Sequence, residues 1–596
     1  MTTMTAEKHE LGRWSLDDLF TGHESEAMQA ALASLDAQAA AIEARRPHLT
    51  GDISIETLLG IVRQIETLTY SSYKIFGFAG LWYESDNQNP IAEAFIARIQ
   101  QKLAELKNQT LFFELWWKGL ADAHAARLMA GAGAYRYWLD ELRKMKPHTL
   151  SEGEEKVINI KNVTGFSALE RLYSTITSRY TFELEVDGEL HKELTRDALL
   201  KYAFHSDPDV RERTFKALYA TYEDQAPILG QIYQTIVRDW HNENVDLRKF
   251  ASPLSVRNLR NDIPDAVVNV LLEVAEKNVG IFQRYYRMKA KWLGMEKVRR
   301  YDIYAPIAKS DKSFPYDEAA RMTFEAFGEF EPKIAELARK VFDENHVDSE
   351  IRMGKSGGAF CWGPVQDITP WVLLNYAGQA RDVATMAHEL GHAIHAMLAS
   401  HQEFFNASAT LPLAETASTF GEMILIDYLL AREPDESVQR DILFRQMDDS
   451  YATIVRQIFF ALFERKAHAM TQAGATVDEL AATYLENLRT QFGDAVEVPD
   501  MFKWEWVGIP HIFSTPFYVY AYAFGQLLVL ALYRQFKAEG DSFKPRYLKI
   551  LSSGGSAAPV DILNEAGIDV TRTEFWQGGF DVLEGMLAKL EAIPVP

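Results

Sequence analysis

Cysteine is nearly absent from this 596-residue sequence. Cys361 is its single example, which excludes an internal disulfide and fits a reducing compartment. Long hydrophobic runs are missing too, since no stretch of about 18 uncharged apolar residues occurs, and no segment is predicted to cross a membrane. Basic residues are outnumbered, because 62 Lys and Arg face 84 Asp and Glu and leave a formal net charge of −22. Neither nucleic acid nor an anionic membrane is therefore expected as a partner.

Residues 1–20 also lack the basic start and apolar run of a secretory leader, so we expect a cytoplasmic protein. Internal repeats and low-complexity segments do not occur. The chain is longer than a single hydrophobic core usually allows, and two or more lobes are expected. Its first 150 residues indicate successive helices with short polar breaks, because apolar residues recur there at helical spacing.

The stretch 382–398 carries most of the chemistry, because it contains His-Glu-Leu-Gly-His at positions 388–392. In a helix, His388 and His392 lie one turn apart on the same face and can bind one ion, with Glu389 beside it. Zinc hydrolases use this arrangement: two imidazoles bind Zn²⁺, and the glutamate takes the proton from zinc-bound water. With 15 histidines in the chain, chance spacing on a buried helix is the alternative, so other parts of the sequence must decide.

A catalytic zinc usually has three protein ligands, so a third should follow the histidine pair. The position six residues past His392 is Leu398, which cannot bind a metal. His395 faces the same way as His388 but lies about 10 Å further along the helix axis, too far to share the ion. His395 is therefore predicted to support the ligands from behind or to belong to the core.

The stretch 411–430 offers two carboxylates as the third ligand. It is apolar enough for a buried helix, and Pro412 suits a first helical turn. Glu415 and Glu422 are seven residues apart and share a face of that helix. One of them could ligate the metal while the other orients a histidine. A structural salt bridge is the alternative.

Two short strands are predicted just before the metal helix, within 357–362 and 371–376. An edge strand beside a metal ion can pair with an extended peptide through main-chain hydrogen bonds. This interpretation makes the first strand a substrate-binding element. The alternative is an ordinary hairpin that only supports the helix.

A second group of candidate catalytic residues lies within 504–524. It contains His511, and Tyr518 and Tyr522 are four residues apart, so they would share one face of a helix. Tyrosine hydroxyls or a histidine can stabilise the oxyanion that forms when a peptide bond is attacked. Packing in an aromatic core is the alternative for each tyrosine.

Other segments receive structural predictions. Alternating apolar and polar residues on both sides of Asp187-Gly188 predict a β-hairpin, and with it a lobe boundary near residue 195. Residues 301–305 are predicted as a short strand and residues 316–345 as one long helix. The charged run 463–468 is interpreted as the solvated face of a helix.

Four ordered segments of the sequence resemble the oligoendopeptidase F family, which belongs with the thimet oligopeptidase-like zinc peptidases. They are Gly-Lys-Ser-Gly-Gly-Ala-Phe (354–360), His-Glu-Leu-Gly-His (388–392), Ala-Glu-Thr-Ala-Ser-Thr-Phe (414–420) and Ile-Pro-His (509–511) with the tyrosines that follow it. Weaker similarity extends over most of the chain. Four motifs in this order are far more specific than one.

The resemblance implies a mainly α-helical fold, with two helical lobes around a deep substrate channel and a small β-sheet next to the zinc-binding helix. The hairpin then divides the chain into an N-terminal helical lobe, 1–195, and a catalytic zinc metallopeptidase domain, 196–596. One Zn²⁺ per chain is expected on His388, His392 and Glu415, with Glu389 as the base. The other expected site residues are His511, Tyr518 and Tyr522 at the oxyanion, Glu422 and His395 behind the ligands, and Gly357, Gly358, Ala359, Phe360 and Tyr520 at the substrate.

The implied function is hydrolysis of internal peptide bonds in short oligopeptides by a zinc-bound water that Glu389 activates. A helical zinc carboxypeptidase is one alternative, but it would need a cationic clamp for the terminal carboxylate, and the sequence offers no obvious candidate near the zinc motif. A non-catalytic peptide-binding protein is the other alternative. The presence of Glu389 speaks against it, because metal binding alone requires no base.

Overall fold

The computed structural model describes residues 8–307, 312–363 and 366–595, and over these residues the chain is mainly helical, as predicted. In chain order the α-helices are α1 (Glu26–Glu43), α2 (Ile55–Ser85), α3 (Pro90–Thr110), α4 (Phe112–Gly119), α5 (Asp122–Met129), α6 (Arg136–Lys144), α7 (Glu152–Thr164), α8 (Phe166–Thr177), α9 (Arg196–Leu200), α10 (Pro208–Trp240), α11 (Pro253–Arg260), α12 (Asp265–Lys277), α13 (Val279–Trp292), α14 (Tyr316–Phe330), α15 (Pro332–Asp343), α16 (Ala380–Ala399), α17 (Phe404–Ala407), α18 (Leu411–Ala414), α19 (Ser418–Arg432), α20 (Glu436–Ser450), α21 (Arg456–Gln472), α22 (Val477–Phe492), α23 (Pro510–Ser514), α24 (Tyr520–Glu539), α25 (Lys544–Ser553), α26 (Pro559–Glu565) and α27 (Thr573–Glu591).

The strands are short and few. They are β1 (Phe182–Val186), β2 (Glu189–Leu194), β3 (Val298–Arg299), β4 (Val347–Asp348), β5 (Phe360–Trp362), β6 (Trp371–Leu373) and β7 (Val496–Glu497). They form three small sheets within the described residues, which confirms the expectation of a small sheet in a helical protein. None of the helices in this part of the chain is long and apolar enough to cross a membrane.

The chain forms two compact units, each assembled from three separate segments. The first unit takes its residues from Met1–Lys146, Lys312–Arg432 and Gln535–Ile568. The second takes its residues from Pro147–Asp311, Glu433–Arg534 and Asp569–Pro596. The division into 1–195 and 196–596 stays a prediction, and no segment boundary of the two units falls at residue 195.

In the first unit, the sheet with strand order β4-β6-β5 packs against α16. Strand β5 is antiparallel to β6, and β4 is parallel to it. Trp362 of β5 stacks on Tyr73 of α2, with ring centroids 4.8 Å apart. Gly77 makes room for this contact, because a Cβ there would lie 2.1 Å from the Trp362 ring. The predicted strand pair before the metal helix is therefore confirmed, and β5 is held in place from the side of α2.

In the second unit, β1 and β2 form the predicted hairpin. Val186 pairs with Glu189, and the two residues between them, Asp187 and Gly188, have φ values of 52° and 81°. A two-residue hairpin turn requires these left-handed conformations, which Asp-Gly adopts readily. Helix α10 begins as its sequence suggests, since the Asp207 carboxylate caps it and proline occupies its first position.

Two predicted elements are wrong. Residues 316–345 form two helices, because Pro332 lacks an N–H and disfavours helical backbone at Glu331, which is extended with φ −156° and ψ 116°. The predicted strand at 301–305 is absent, and Arg300–Asp302 form a 3₁₀ turn instead. The carboxylate of Asp302 is buried there and accepts hydrogen bonds from Arg211 at 2.9 Å and from Arg299 at 2.6 Å.

The interpretation of 463–468 as a solvated face is also wrong. Arg465 and Lys466 are exposed, but Glu464 and His468 on α21 have 0% and 2% exposure. Their spacing of four residues places them on one face of the helix, together with apolar residues such as Ala467. That face packs inside the second unit, so the two polar side chains belong to its core.

Candidate metal centre and active site

Helix α16 carries the histidine pair. The Asp382 carboxylate stabilises the first turn by accepting hydrogen bonds from the backbone N–H groups of Ala377 and Gln379, at 2.9 and 3.0 Å. His388 and His392 then lie one turn apart on the same face, with ring centroids 4.9 Å apart. The geometry agrees with the spacing argument made from the sequence.

Glu415 reaches both histidines from another part of the first unit. Its Oε2 atom lies 3.4 Å from Nε2 of His388 and 3.5 Å from Nε2 of His392. These three atoms all lie within 4.8 Å of one another, so a single metal ion could bind to all of them. Ser418 donates a hydrogen bond to the same carboxylate oxygen at 2.8 Å, which holds Glu415 in this orientation.

Glu415 does not lie inside a helix, as the sequence had suggested, but in the break between α18 and α19. Gly391 of α16 explains how this break comes close to the histidines. A Cβ atom at Gly391 would lie 2.5 Å from Cα of Ser418 and 2.6 Å from the carbonyl oxygen of Ala417. Only glycine allows this approach, so Gly391 is a requirement for bringing Glu415 to the pair.

Glu422 of α19 contacts the back of His388. Its Oε1 atom lies 2.5 Å from Nδ1 of the imidazole. A proton on Nδ1, donated to this carboxylate, leaves the Nε2 lone pair directed toward Glu415. An imidazole lone pair and a carboxylate oxygen repel each other unless a proton or a cation lies between them, so this donor set suits a divalent cation such as zinc.

The local charge also favours a cation. Burial lowers the pKa of His388, but the hydrogen bond and charge of Glu422, with smaller contributions from Glu389 and Glu415, outweigh it and raise that pKa to about 9. The pKa of His392 falls to about 4, chiefly because of burial, although Glu415 opposes the fall. The three carboxylates therefore concentrate negative potential at the place where the two Nε2 atoms meet.

Glu389 is 6% exposed and adjoins the ligand group. Burial raises the pKa of this carboxyl to about 7; the charge of His388 lowers it and that of Glu415 raises it. A carboxyl group with a pKa near neutrality can both accept and return a proton. His395 is also buried, and burial lowers its pKa to about 4, so its imidazole is neutral near pH 7.

A cavity of about 400 Å³ opens onto this group within the first unit. Its lining includes His388, Glu389, His392 and His395 of α16, Ala359, Phe360 and Cys361 at β5, and Ala407, Ser408 and Ala409 at the end of α17 and just after it. The structure thus brings the two histidine ligand candidates, Glu389 and two of the predicted substrate-binding residues, Ala359 and Phe360, to one cavity.

The predicted substrate strand has an available edge. Within the described residues β5 pairs with β6 alone, so its other edge has no partner strand. Gly357 and Gly358, which precede β5, are exposed, and Gly358 has a φ of 79°. Asn375 donates hydrogen bonds to the carbonyl oxygens of Ser356 and Gly358, at 3.0 and 2.8 Å, and fixes the entry to the strand.

His511, Tyr518 and Tyr522 form a separate group in the second unit. The ring centroid of His511 is 6.1 Å from that of Tyr518 and 6.1 Å from that of Tyr522, and the two tyrosine rings are 5.3 Å apart. Burial and a hydrogen bond with Tyr518 raise the pKa of Tyr522 to about 12. Tyr520, predicted to bind substrate, is instead 1% exposed, and its hydroxyl accepts a hydrogen bond from Asn261.

A second group in the first unit, Asp18, Glu344 and His346, also has ligand atoms close enough to share a metal. His346 is buried, and its Nδ1 lies 2.9 Å from the carbonyl oxygen of Thr369. Both carboxylates are exposed, however, and no base comparable to Glu389 accompanies them among the residues of this group. The group around α16 is therefore the better candidate for catalysis.

Comparison with known proteins identifies the family. The family model described as Peptidase family M3 matches residues 201–582, and the model described as Oligopeptidase F matches residues 117–182. The first match alone covers more than half of the chain. The chain belongs to peptidase family M3.

Relatives of this M3 peptidase agree with that assignment. Group B oligopeptidase PepB of Streptococcus agalactiae is 27% identical over 548 residues, which are 90% of each chain. A solved structure from Chlamydophila abortus, described as a proposed peptidase, has a TM-score of 0.88 at 24% identity and covers 97% of this chain and 98% of that one. Oligoendopeptidase-F from Enterococcus faecium has a TM-score of 0.69 at 23% identity, covering 95% and 98%. The resemblance to oligoendopeptidase F is confirmed, and the protein is a peptidase.

Sequence reasoning missed several residues that shape the site of this M3 peptidase. Gly391 stands inside the His-Glu-Leu-Gly-His motif, yet its role depends on a helix that is close only in the folded chain. Asn375 lies within the predicted strand 371–376, but its hydrogen bonds to the segment before β5 exist only in the folded sheet. Glu464 gave a signal that could have been used: it lies four residues before His468, and both positions follow the apolar spacing of α21.

Proposed function

We propose that this M3 peptidase is a zinc-dependent endopeptidase that hydrolyses internal bonds of short oligopeptides in the cytoplasm. The observation that carries the proposal is the convergence of His388, His392 and Glu415 beside the buried Glu389. Two imidazole nitrogens and one carboxylate oxygen are a ligand set typical of catalytic zinc. The single cysteine and the acidic composition support the proposed compartment.

The residues of this chain have distinct proposed roles. Zinc bound by His388, His392 and Glu415 would supply Lewis acidity, which polarises a peptide carbonyl and makes water acidic near neutral pH. Glu389 accepts the proton of the attacking water and returns it to the nitrogen of the leaving amine. Glu422 holds the His388 imidazole by its hydrogen bond at Nδ1 and keeps Nε2 directed at the metal position.

Stabilisation of the oxyanion is assigned to the group formed by His511, Tyr518 and Tyr522. His511, Tyr518 and Tyr522 carry a ring N–H or phenolic hydroxyl groups, which can donate hydrogen bonds to a developing negative charge. Their clustering supports a shared role. The rings of Tyr518 and Tyr522 pack edge to face with centroids 5.3 Å apart, so the two phenols lie side by side.

Substrate binding is assigned to the edge of β5. An extended peptide can add to this edge by main-chain hydrogen bonds, which do not depend on side-chain identity. Gly357, Gly358, Ala359 and Phe360 would then contact peptides of varied sequence. Among the described residues that line the cavity there is no Arg or Lys to bind a terminal carboxylate, which favours internal cleavage over carboxypeptidase activity.

A digest tests the proposal. Zinc-loaded protein is incubated with a mixed library of short peptides, and the products are read by mass spectrometry, with a Glu389→Gln variant as the matched control. We expect internal cleavage by the native protein and almost none by the variant. Stepwise loss of C-terminal residues would establish a carboxypeptidase instead, and intact peptides that co-purify with the protein would establish a peptide-binding protein.

A further inference from the structure

The segment that joins His511 to Tyr522 is held by buried polar side chains of the second unit. Glu464 of α21 accepts a hydrogen bond from the backbone N–H of Phe517 at 2.8 Å. Arg257 of α11 donates one to the carbonyl oxygen of Pro516 at 3.3 Å. These two groups bind the N–H and the carbonyl oxygen of one and the same peptide unit, which joins Pro516 to Phe517 just before Tyr518.

The backbone at this point needs such support. Phe517 has a φ of 59°, a left-handed conformation that residues with a Cβ rarely adopt, and its ring is 1% exposed. A strained residue persists only when its surroundings determine it. The following residue, Tyr518, lies in a turn before α24, where its N–H donates to the carbonyl oxygen of Thr515 at 3.1 Å, so its position depends on the backbone of this turn.

Glu464 is otherwise hard to explain. It is 0% exposed, and its Oε2 atom has no hydrogen-bond partner among the described residues. Burial of a carboxyl group with an unsatisfied oxygen is costly, and an apolar side chain would pack at lower cost. The contact between Oε1 and the Phe517 N–H is therefore the feature of Glu464 that compensates for its burial.

We propose that Glu464, assisted by Arg257, is a positioning residue that sets the place of Tyr518 and its partners His511 and Tyr522. Glu464 acts through the Phe517 peptide and does not itself contact substrate. The inference rests on the proposed role of the three residues at the oxyanion. Donors at an oxyanion act mainly in the transition state, so displacing them lowers kcat more than it raises KM.

The experiment compares Glu464→Leu, which removes the acceptor for the Phe517 N–H, with Glu464→Gln, which keeps an oxygen at the same distance along the side chain. Asp448→Asn is the control, because Asp448 is a partly buried carboxylate of the same unit that is bound by Lys289 and Tyr285 instead. Zinc content, melting temperature, and kcat and KM on an internally quenched peptide are measured for each holoenzyme.

For Glu464→Leu we expect a fall in kcat of about 10-fold or more, because small displacements of catalytic groups have effects of this size. KM and zinc content should change little. Glu464→Gln should keep most of the kcat, and Asp448→Asn should lose melting temperature but not turnover per folded molecule. Hydrogen exchange read by mass spectrometry should speed up at residues 515–520 in Glu464→Leu alone.

Two further variants test the positioning role and the oxyanion assignment separately. Arg257→Met tests the same segment from the carbonyl side and should also lower kcat, which covers the case that Glu464→Leu does not fold. His511→Ala measures the oxyanion group directly. If His511→Ala loses activity while Glu464→Leu and Arg257→Met keep full kcat and native exchange, the positioning role is wrong. If His511→Ala keeps full kcat, the assignment of the oxyanion fails, and the exchange data alone decide whether Glu464 holds the segment.

Discussion

Oε1 of Glu422 lies 2.5 Å from Nδ1 of His388, on the side of the imidazole opposite to Glu415. One histidine thus contacts both carboxylates, each through a different ring nitrogen. The relationship supports the proposed division of tasks, in which Glu415 binds the metal and Glu422 orients a ligand. The two glutamates should therefore respond differently to substitution.

Substitution of Glu415 by alanine should lower zinc content and abolish hydrolysis, because it removes one of three ligands. Glu422→Gln should weaken zinc binding by about 10- to 100-fold, as is usual for residues that orient a metal-bound histidine, while the protein still folds. Metal analysis after dialysis against graded chelator measures both effects. Full zinc and activity in Glu415→Ala, with loss of both in Glu422→Gln, would reverse the assignment.

Glu389→Gln should fold and retain zinc, because Glu389 is not among the three ligand candidates. Its kcat should fall by several orders of magnitude, since the proton acceptor is lost. Steady-state kinetics and metal analysis on the same sample check both statements. Near-normal turnover would exclude Glu389 as the base.

Gly391→Ala should destabilise the protein by about 2 kcal/mol or more, because the new methyl group would overlap backbone atoms of Ala417 and Ser418, which cannot rotate away. Zinc affinity should fall with it, since the displaced segment carries Glu415. Denaturant unfolding and chelator titration provide the measurements.

Gly60→Ala is the control for this substitution. Gly60 lies inside α2, and nothing comes within 4 Å of a Cβ placed there. Alanine favours a helix by about 0.5–1 kcal/mol over glycine, so this variant should be as stable as the native protein or more so. Equal effects at the two positions would contradict the role given to Gly391.

His511→Ala and Tyr522→Phe should each lower kcat by about 10²-fold with zinc content unchanged, by analogy with single oxyanion donors. Thermal melts measured on the same samples as the kinetics distinguish a role at the oxyanion from a purely structural role in packing. A lower melting temperature with unchanged kcat would mean that these side chains only pack the protein.

The stability of Glu464→Gln relative to the native protein should depend on pH. Burial raises the pKa of Glu464 to about 8, although the Phe517 N–H and Arg257 lower it. Between its ordinary value of 4.5 and about 8, the folded protein keeps a proton that the unfolded chain has released. The contribution of this carboxyl group to the free energy of unfolding is therefore present in full below pH 4.5 and is lost as pH rises toward 8.

Glutamine does not ionise, so the difference in unfolding free energy should move in favour of the variant as pH rises, by on the order of 1–3 kcal/mol. Melting curves at several pH values measure it. Glu479→Gln is the control, because the hydrogen bonds of Glu479 with Thr476 lower the pKa of this carboxyl group. The change in unfolding free energy caused by this substitution should therefore stay constant around neutral pH. A constant offset for Glu464→Gln as well would show that Glu464 ionises normally.

Much of the site followed from local sequence. His388 and His392 face the same way because four residues make about one helical turn, whatever surrounds the helix. The turn at Asp187-Gly188 and the start of α10 at Pro208 are likewise properties of a few neighbouring residues. Interactions between residues close in the sequence were sufficient to predict these elements.

The family resemblance predicted Glu415 as the metal ligand and Glu422 as its support, but only the tertiary structure shows which nitrogen of His388 each carboxylate approaches. Their spacing alone made Glu415 and Glu422 equivalent on one predicted helix, whereas the folded chain has a break between α18 and α19 that lies close to Gly391 and places Glu415 beside Nε2 of both histidines. Glu464 follows the apolar spacing of α21, but its partner, the N–H of Phe517, comes from a distant segment and is visible only in the folded chain. The sequence determined which groups could do the chemistry; contacts between residues far apart in the chain decided where each group points, because the free energy of those contacts exists only in the folded protein.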